Sequence, residues 1–181
     1  MLDELPFDIP DTWLWARLKD IVFNNGQKTP TEKFSYIDIG SIDNKNQKLS
    51  RQEHIIPADK APSRARKIVK YGDILYSTVR PYLHNICIVD KRFFCEPIAS
   101  TGFAVLSCEK GICNRFLFYF MFSPIFDLYA NSTENSKGVA YPAINDDRLY
   151  KALIAIPPHS EQERICSKVS EILASIDKGE I

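Results

Sequence analysis

The sequence predicts an α+β fold, in which a twisted mixed or antiparallel sheet is accompanied by a few helices and long loops. Short apolar runs bounded by turn-forming residues recur at uneven spacing, which is the pattern of strands in such a sheet. Strands and helices do not alternate regularly along the chain, which argues against a parallel sheet built from β–α–β units. A segment with helical periodicity follows the last apolar run.

Five apolar runs are the predicted strands. The first alternates between apolar and polar residues, and the turn-forming sequence Asn24-Asn25-Gly26 precedes it. The others are short, and the last one ends at Pro157-Pro158, where a strand in the middle of a sheet cannot continue. The predicted strands are residues 36–40, 74–76, 86–89, 103–106 and 152–156.

Two segments are predicted to form helices. Asn114 is the predicted N-cap of the first, which is apolar on nearly every side before Pro124 interrupts it, so we expect this helix to be mostly buried. In the second, Ser160 and Glu163 form a capping-box pattern directly after the two prolines. We expect this C-terminal helix to extend roughly from residue 161 to residue 177.

The C-terminal helix carries an apolar stripe with spacings of 4, 3 and 4 residues, which is typical of helix–helix packing. We predict that this stripe contacts a partner, because the pattern continues almost to the end of the sequence. Packing of part of the stripe against its own domain is the alternative. The predicted interface residues are Ile165, Val169, Ile172, Leu173 and Ile176.

Length and composition are those of one ordered domain. The chain has 181 residues, of which 45% are hydrophobic and 12% aromatic, enough for a core and too many for a disordered protein. The longest apolar run, residues 116–122, is far shorter than the roughly 18 residues that a membrane-spanning helix needs. The N-terminus shows no secretory signal pattern. We therefore expect a soluble cytoplasmic domain with no membrane partner.

Positive charge is concentrated in one segment, although the 23 basic and 23 acidic residues of the chain cancel. Residues 60–80 contain six basic side chains against Asp73 alone, so their net charge is +5 and that of the remaining chain is −5. Arginine can bind guanine edges, and lysine and hydroxyl groups suit phosphate oxygens, so this segment is a candidate DNA-binding surface. A solvated surface of strands and loops is the alternative. Together with a later loop, the candidate contacts are Ser63, Arg64, Arg66, Lys67, Lys70, Ser77, Thr78, Arg80, Tyr82, Ser136, Lys137 and Tyr141.

The sequence lacks the motifs of the common catalytic and cofactor sites. It contains no glycine-rich phosphate loop, no H-E-x-x-H, no G-x-S-x-G and no N-P-P-[YF]-like tetrapeptide of an amino-methyltransferase. Its five cysteines show no C-x-x-C spacing and are predicted to be buried thiols. We therefore predict no catalytic residue, no metal site and no bound cofactor. Asp43 with Lys45 imitates a metal-dependent nuclease pattern and is kept as an alternative.

Ten short blocks occur in an order that resembles one target-recognition half of the specificity subunit of type I restriction-modification enzymes. Each block alone is loosely defined, but together they span nearly the whole chain. The blocks are L-P at 5–6, W-L-W at 13–15, L-K-D-I at 18–21, T-P at 29–30, Y-I-D-I-G-S-I at 36–42, G-D-I-L-Y-S-T-V-R-P at 72–81, N-I-C-I-V at 85–89, S-T-G-F at 100–103, G-V-A-Y-P-A-I-N at 138–145 and P-P-H-S-E-Q at 157–162.

The resemblance implies sequence-specific recognition of double-stranded DNA, with no catalysis by this chain. Specificity subunits of this family carry two recognition domains, held apart by long helices that dock the methyltransferase subunits. Modification and restriction subunits are thus the implied partners, on which S-adenosylmethionine, ATP and Mg²⁺ are expected. Residues 1–158 are assigned to one target-recognition domain, and residues 159–181 to the start of a spacer or dimerisation helix of coiled-coil type.

One recognition domain is only half of the family pattern. The chain is therefore expected to be either a half-length specificity subunit, which pairs with a second copy or with another half subunit, or a fragment. Two interpretations from other functional classes stay open. One is a protein-interaction module that acts through the C-terminal helix, and the other is a self-contained nuclease that uses Asp43 and Lys45.

Overall fold

Short strands outnumber helices in the described chain, which comprises residues 5–132 and 143–179 of a computed structural model. Most strands have four residues or fewer, as expected from the short apolar runs. In chain order they are β1 (Leu14–Arg17), β2 (Val22–Phe23), β3 (Phe34–Ile37), β4 (Ile42–Asp43), β5 (Lys48–Leu49), β6 (His54–Ile56), β7 (Ala65–Ile68), β8 (Ile74–Ser77), β9 (Ile86–Ile88), β10 (Glu96–Ser100), β11 (Phe103–Cys108) and β12 (Leu153–Ile156).

Two four-stranded sheets form the centre of the fold. One is antiparallel, with the strand order β2-β11-β8-β9. The other is mixed, with the order β6-β3-β10-β7, because β10 lies parallel to β3 and antiparallel to β7. The turn Thr101–Gly102 connects β10 directly to β11 and so joins the two sheets.

Two further strand pairs complete the topology. The short hairpin β4–β5 follows the mixed-sheet strand β3. The pair β1–β12 is antiparallel, with Leu14 opposite Ile156 and Arg17 opposite Leu153. This pair brings an early and a late part of the described chain side by side.

Four α-helices are present in the described residues. None of these four combines the length and the hydropathy that crossing a membrane would need. The helices are α1 (Asn114–Phe120), α2 (Pro124–Asn131), α3 (Asp146–Tyr150) and α4 (His159–Asp177).

The antiparallel sheet is covered on both faces. On one face, Ile74 belongs to the same buried cluster as Leu117 of α1 and Phe126 of α2. On the other face, Leu75 belongs to a second buried cluster with Ile37 of the mixed sheet. A strand buried on both faces has a continuous apolar sequence, which explains the unbroken run in β8. Full burial of one such side chain contributes roughly 1.5–3 kcal/mol to stability.

The structure confirms the predicted α+β class, and a strand is present at each of the five predicted positions. The first begins two residues earlier than predicted and ends at Ile37, because Ile39–Ser41 form a 3-10 turn. The backbone N–H of Asp38 donates to the Ser41 hydroxyl (3.1 Å) and closes this turn. Alternation of apolar residues alone did not reveal where the extended backbone stops.

The two predicted helix caps are wrong. Asn114 is the first residue of α1 rather than its N-cap, and its side-chain amide donates to the Gly72 carbonyl (2.8 Å). The helix α4 begins at His159, with Pro158 as its N-cap and no side-chain cap. The buried Gln162 donates to the Pro157 carbonyl (3.0 Å), so a contact with the preceding strand region fixes this helix start instead of Ser160.

Other features of the two predicted helices are confirmed. The first segment is interrupted as predicted, since α1 ends at Phe120 and Pro124 opens α2. Within α1, Phe116 and Leu117 are buried. The helix α4 ends at Asp177, the predicted position.

All five cysteines are free thiols, but the prediction that they are buried holds only for Cys87 and Cys166. Cys95, Cys108 and Cys113 are partly exposed. Burial raises the pKa of the Cys87 thiol to about 12, so this side chain stays protonated near neutral pH. A protonated, buried thiol behaves as a small apolar side chain, which agrees with the predicted core role of Cys87.

Candidate nucleic-acid interface

The edge strand β7 carries the most basic part of the chain. Ala65 is fully buried, whereas Arg66 and Lys67 are partly exposed and Arg64, just before the strand, is exposed. The backbone N–H of Lys28 donates to the Arg66 carbonyl (2.9 Å), so a neighbouring segment covers part of the outer edge of β7. The strand therefore presents its basic side chains from a backbone that is fixed on both sides.

The turn Thr101–Gly102 is hydrogen-bonded both to the residue before β7 and to the loop that follows β8. The backbone N–H of Thr101 donates to the Arg64 carbonyl (2.8 Å), and that of Thr78 donates to the Gly102 carbonyl (2.9 Å). These two bonds place Arg64 and the start of the β8–β9 loop at the same edge of the molecule. We name this surface the basic edge, and it comprises residues 63–67, 78–85 and 101–102.

The β8–β9 loop, residues 78–85, has an unusual backbone. Pro81–Leu83 form a 3-10 turn, and the residues on its two sides, Arg80 and His84, have left-handed φ angles of 50° and 49°. This region is unfavourable for residues with a β-carbon and persists only where surrounding contacts fix it. Tyr82, in the middle of the turn, is 48% exposed. The loop thus combines a rigid backbone with an exposed aromatic ring next to Arg80.

Contacts from two other segments hold this loop. The backbone N–H of Ile144 donates to the Thr78 carbonyl (2.9 Å), and the residues next to this pair form an isolated β-bridge. On the other side, the side-chain amide of Asn44, in the β4–β5 hairpin, donates to the Leu83 carbonyl (3.0 Å). Both ends of the loop are therefore attached to the body of the domain.

Two of the predicted DNA contacts support the loop from inside. Ser77 and Thr78 are buried, and their hydroxyls donate to the carbonyls of Val79 (2.8 Å) and Gly102 (3.0 Å). Both hydroxyls are thus engaged within the protein and shape the basic edge. Their predicted contact with phosphate stays a prediction.

Most of the remaining predicted DNA contacts among the described residues lie at the basic edge. Ser63, Arg64 and Arg66 lie at the basic edge with Arg80 and Tyr82, as described. Lys67 also lies there, but its ammonium group pairs with the Asp146 carboxylate of α3 (3.3 Å), and its side chain is only 14% exposed. Ser136, Lys137 and Tyr141 fall outside the described residues.

Lys70 is not brought to the basic edge. It follows the opposite end of β7, six residues from Arg64, which corresponds to about 20 Å of extended chain. Its side chain is exposed, and its backbone N–H donates to the carboxylate of Asp73 (2.7 Å). Its predicted DNA contact would therefore require a second point of contact, away from the loop 78–85.

Asp73 is the centre of a buried polar cluster at the start of β8. Its side chain is almost completely buried, and its carboxylate accepts hydrogen bonds from Lys70 N–H, the Asn25 side-chain amide (2.9 Å) and the Ser107 hydroxyl. Burial raises the pKa of this carboxyl group, and the hydrogen bonds, that from Ser107 first, oppose part of the rise. We refer to these four residues as the Asp73 cluster.

The helix α4 divides into two halves. In the first half, Gln162 and Cys166 are buried against the domain, and the Gln162 side chain accepts a hydrogen bond from Cys113 N–H (2.8 Å). The predicted stripe lies beside this contact, with Ile165 and Val169 partly exposed. In the second half the stripe faces solvent: Ile172, Leu173 and Ile176 are 42%, 47% and 54% exposed.

Comparison with known proteins places this geometry in a family. Residues 10–181 match the family described as the type I restriction modification DNA specificity domain. The chain belongs to this family. The predicted resemblance is thereby confirmed.

Solved specificity-domain structures share the fold of this chain. The HsdS subunit from Thermoanaerobacter tengcongensis is 33% identical, with a TM-score of 0.84 over 97% of this chain and 45% of its own length. A chain in a structure that addresses complex assembly and conformational transition of the type I R-M system is 32% identical, with a TM-score of 0.85 and the same two coverages. The predicted fold of a type I recognition domain followed by a helix is therefore confirmed.

Curated members of the specificity-domain family match with lower identity. The specificity subunit of the type I restriction enzyme EcoAI from Escherichia coli is 26% identical over 97% of this chain and 31% of its own length. The corresponding EcoDI subunit from Escherichia coli is 27% identical over 96% of this chain and 37% of its own length. The chain thus spans about a third of the length of these relatives.

The nuclease alternative has no support in this specificity-domain structure. The Asp43 carboxylate accepts hydrogen bonds from the Asn46 side chain (2.7 Å) and from the backbone N–H groups of Lys45 (3.0 Å) and Asn46. These bonds, that of the Asn46 side chain first, lower the pKa of Asp43. The carboxylate closes the β4–β5 hairpin turn. Among the described residues, no three His, Cys, Asp or Glu side chains are grouped as a metal would require.

Sequence reasoning missed two contacts that hold the basic edge of this specificity domain. The Asn44 contact with the loop and a hydrogen bond between His84 and Asp127 both join residues about 40 positions apart. No spacing rule connects such positions. The one local signal in the sequence is the polar, Asn-rich segment 43–47.

Proposed function

We propose that this chain recognises the base sequence of double-stranded DNA, as the target-recognition part of a type I specificity subunit. One observation carries the proposal. Two backbone hydrogen bonds, through Thr101 and Gly102, combine the basic strand β7 with the loop 78–85 into a single edge, in a chain of the specificity-domain family.

The side chains at the basic edge suit both parts of DNA recognition. Arg66 and Arg80 have the planar donor groups that bind guanine edges, and they project from a fixed strand and a fixed loop. Arg64 and Lys67 supply charge for phosphates, which sets affinity but not sequence preference. Tyr82 offers an exposed ring beside them. A neutral chain with one basic edge would meet DNA in a defined orientation.

Methylation and cleavage would be performed by partner subunits. The sequence lacks the loops that bind nucleotides or a methyl donor, so S-adenosylmethionine, ATP and Mg²⁺ would be bound by modification and restriction subunits. The chain itself would have no catalytic activity. It would act in the cytoplasm, where S-adenosylmethionine, ATP and Mg²⁺ occur together with DNA. The similarity to a chain from a structure that addresses complex assembly of the type I R-M system supports association with such subunits.

The exposed half of α4 is the proposed contact with a protein partner. We assign residues 1–158 to the recognition domain and residues 159–181 to the start of the spacer helix, whose first turns pack on that domain. The solvent-facing Ile172 and Ile176 would then contact a second copy, another half subunit or a methyltransferase subunit. A helix of this length is marginal alone in water, so such packing would stabilise its free end.

Replacing Ile172 and Ile176 with Asp tests this contact. The double variant should lose self-association or recruitment of modification subunits, measured by sedimentation and pull-down. Its thermal unfolding should change little, because both side chains are about half exposed. Replacing the exposed Lys168 of the same helix with Ala is the matched control. If the chain is a monomer at high concentration and the double variant still recruits modification subunits, the proposed contact is wrong.

DNA binding by the full chain tests the central proposal. A duplex enriched by the chain from a randomised pool is titrated against the wild type, Arg66→Ala and Arg80→Ala. Loss of an arginine that reads a base should cost roughly 1–3 kcal/mol, which is about 5- to 150-fold in affinity, and relax one base position.

Lys110→Ala provides the matched control for these variants. Lys110 is also exposed and basic, but β11 carries the chain about 20 Å away from Gly102 before this residue. Its loss should leave the sequence preference unchanged. Enrichment of no sequence, or equal effects of Lys110→Ala and Arg80→Ala, would contradict the proposal.

A further inference from the structure

The loop 78–85 is attached to α2 by a hydrogen bond between His84 and Asp127 that the recognition chemistry described so far does not use. Nε2 of His84 lies 2.7 Å from Oδ1 of Asp127. The imidazole ring also packs against Phe122, with ring centroids 5.6 Å apart. The Asn131 side chain, one helical turn further, donates to the same carboxylate oxygen (2.9 Å) and holds it in place.

His84 occupies a backbone position at which a side chain needs a reason. Its left-handed φ is accessible to glycine at no steric cost, but is unfavourable for a residue with a β-carbon. The hydrogen bond with Asp127 and the contact with Phe122 are what the histidine contributes there. Strained backbone that is fixed by its surroundings is typical of sites that must present side chains in one orientation.

The turn transmits this fixed position to the recognition side chains. Pro81 is buried, and the His84 N–H donates to its carbonyl (2.9 Å), while the Leu83 N–H donates to the Arg80 carbonyl (2.9 Å). The segment between the two left-handed residues is therefore a small rigid unit. Moving His84 would rotate Arg80 and Tyr82 with it.

We propose that His84 and Asp127 are positioning residues for DNA reading: their hydrogen bond holds the loop 78–85 in the orientation that presents Arg80 and Tyr82 to the bases. Neither residue needs to touch DNA. This inference rests on the proposed function, because it assigns a role within the same interface. The Asn44 contact with Leu83 supports the loop from the opposite side.

A purely structural role and a positioning role predict different behaviour of His84→Gly. Glycine relieves the left-handed backbone and removes the hydrogen bond with Asp127, so thermal stability should change little or rise. Positioning of Arg80 is lost at the same time, so DNA affinity should fall. A merely structural residue would lose stability and leave the DNA affinity of the folded chain unchanged.

Variants of Asp127 isolate its hydrogen bond with His84. Asp127→Ala should weaken binding of the enriched duplex about 5- to 20-fold, because residues in one hydrogen-bonded network are coupled. Asp127→Asn keeps an acceptor of the same size for His84 and should bind within about twofold of the wild type. The neighbouring Leu128, which is exposed on the same helix, provides the control variant Leu128→Ala with wild-type affinity.

A double-variant cycle with Arg80→Ala gives the decisive readout. If Asp127 acts through Arg80, adding Asp127→Ala to Arg80→Ala should weaken binding by less than about twofold further. Repeating the enrichment with Asp127→Ala should relax the same base position that Arg80→Ala relaxes. These measurements use the full chain, and the folded fraction of each variant is checked by its unfolding transition.

Three outcomes separate the inferences. Weaker binding by Asp127→Ala and His84→Gly, with loss that is not additive to that of Arg80→Ala, supports the positioning role. Wild-type binding by both variants, while Arg80→Ala binds weakly, overturns the positioning role and leaves the proposed function intact. No enrichment of any duplex by the wild-type chain overturns the proposed function, and the positioning role with it.

Discussion

The two ends of β8 carry polar groups that are treated in opposite ways. At its start, the Asp73 cluster is buried, and the carboxylate of Asp73 has three hydrogen-bond donors. At its other end, the loop 78–85 leaves the sheet with two left-handed residues and an exposed Tyr82. Only four residues of strand separate the two regions.

The difference teaches what each end is for. The Asp73 cluster connects β8, β11 and the segment before β3, and its value lies in holding these elements together. The loop 78–85 is attached to the body of the domain through Ile144, Asn44 and Asp127, whereas the ring of Tyr82 in its middle is 48% exposed. Substitutions at the first end should therefore change stability, and substitutions at the second should change binding.

The largest expected effect on stability comes from Asp73→Ala. It leaves the Lys70 N–H and the Asn25 and Ser107 side chains without their shared acceptor, and buried donors without partners are costly. The free energy of unfolding should fall by about 2–4 kcal/mol, measured by urea denaturation. Asp59→Ala, at an exposed aspartate, should change it by less than about 0.5 kcal/mol. An Asp73→Ala variant with the free energy of unfolding of the wild type would contradict the stabilising role of the Asp73 cluster.

The free energies of unfolding of the wild type and of Asp73→Asn, measured over a range of pH, test the role of the Asp73 charge. Because burial raises the pKa of Asp73 in the folded state, the folded chain binds this proton more tightly than the unfolded chain. The contribution of Asp73 to stability should therefore decrease as the pH rises from the ordinary carboxyl range through the raised pKa. Relative to Asp73→Asn, the wild type should be most stable at acid pH. A stability difference that is independent of pH would show that the charge is fully compensated.

The smallest stability effect is expected at the basic edge, for Lys67→Ala. The ion pair of Lys67 with Asp146 lies at the surface on the aspartate side, so its loss should change the free energy of unfolding by less than about 1 kcal/mol. Binding should weaken alike for all DNA sequences, and the slope of log affinity against log salt should flatten by about one. A change in sequence preference would instead assign Lys67 to base reading.

The strands of this fold were predictable because burial leaves a direct trace in sequence. The run Ile74-Leu75-Tyr76 is apolar throughout because β8 is covered on both faces. The helix starts were not predictable from local sequence. The Asn114 side chain donates to the Gly72 carbonyl, and the Gln162 side chain accepts from the Cys113 N–H, so each contacts a residue more than 40 positions away. The same reason hid the pairing of His84 with Asp127.

The periodic stripe of α4 shows the other limit of sequence patterns. The spacing of apolar residues identified one face of the helix, but not how much of that face packs against the domain. Cys166 contacts the Cys113 thiol and Ser170 contacts the Tyr119 hydroxyl, whereas Ile176 is 54% exposed, and the helix sequence alone does not encode where these contacts stop.

The pairing of β1 with β12 has a consequence for how this domain can be exchanged. Leu14 and Ile156 lie directly opposite each other, about 5 Å apart between Cα atoms in such a ladder. The residues between β1 and β12 therefore begin and end at neighbouring positions. They form one continuous unit that includes the whole basic edge. Recombination with both joints in these two strands would exchange the entire reading surface at once and leave α4 unchanged. New specificity could then arise by replacement of a complete unit as well as by point substitution.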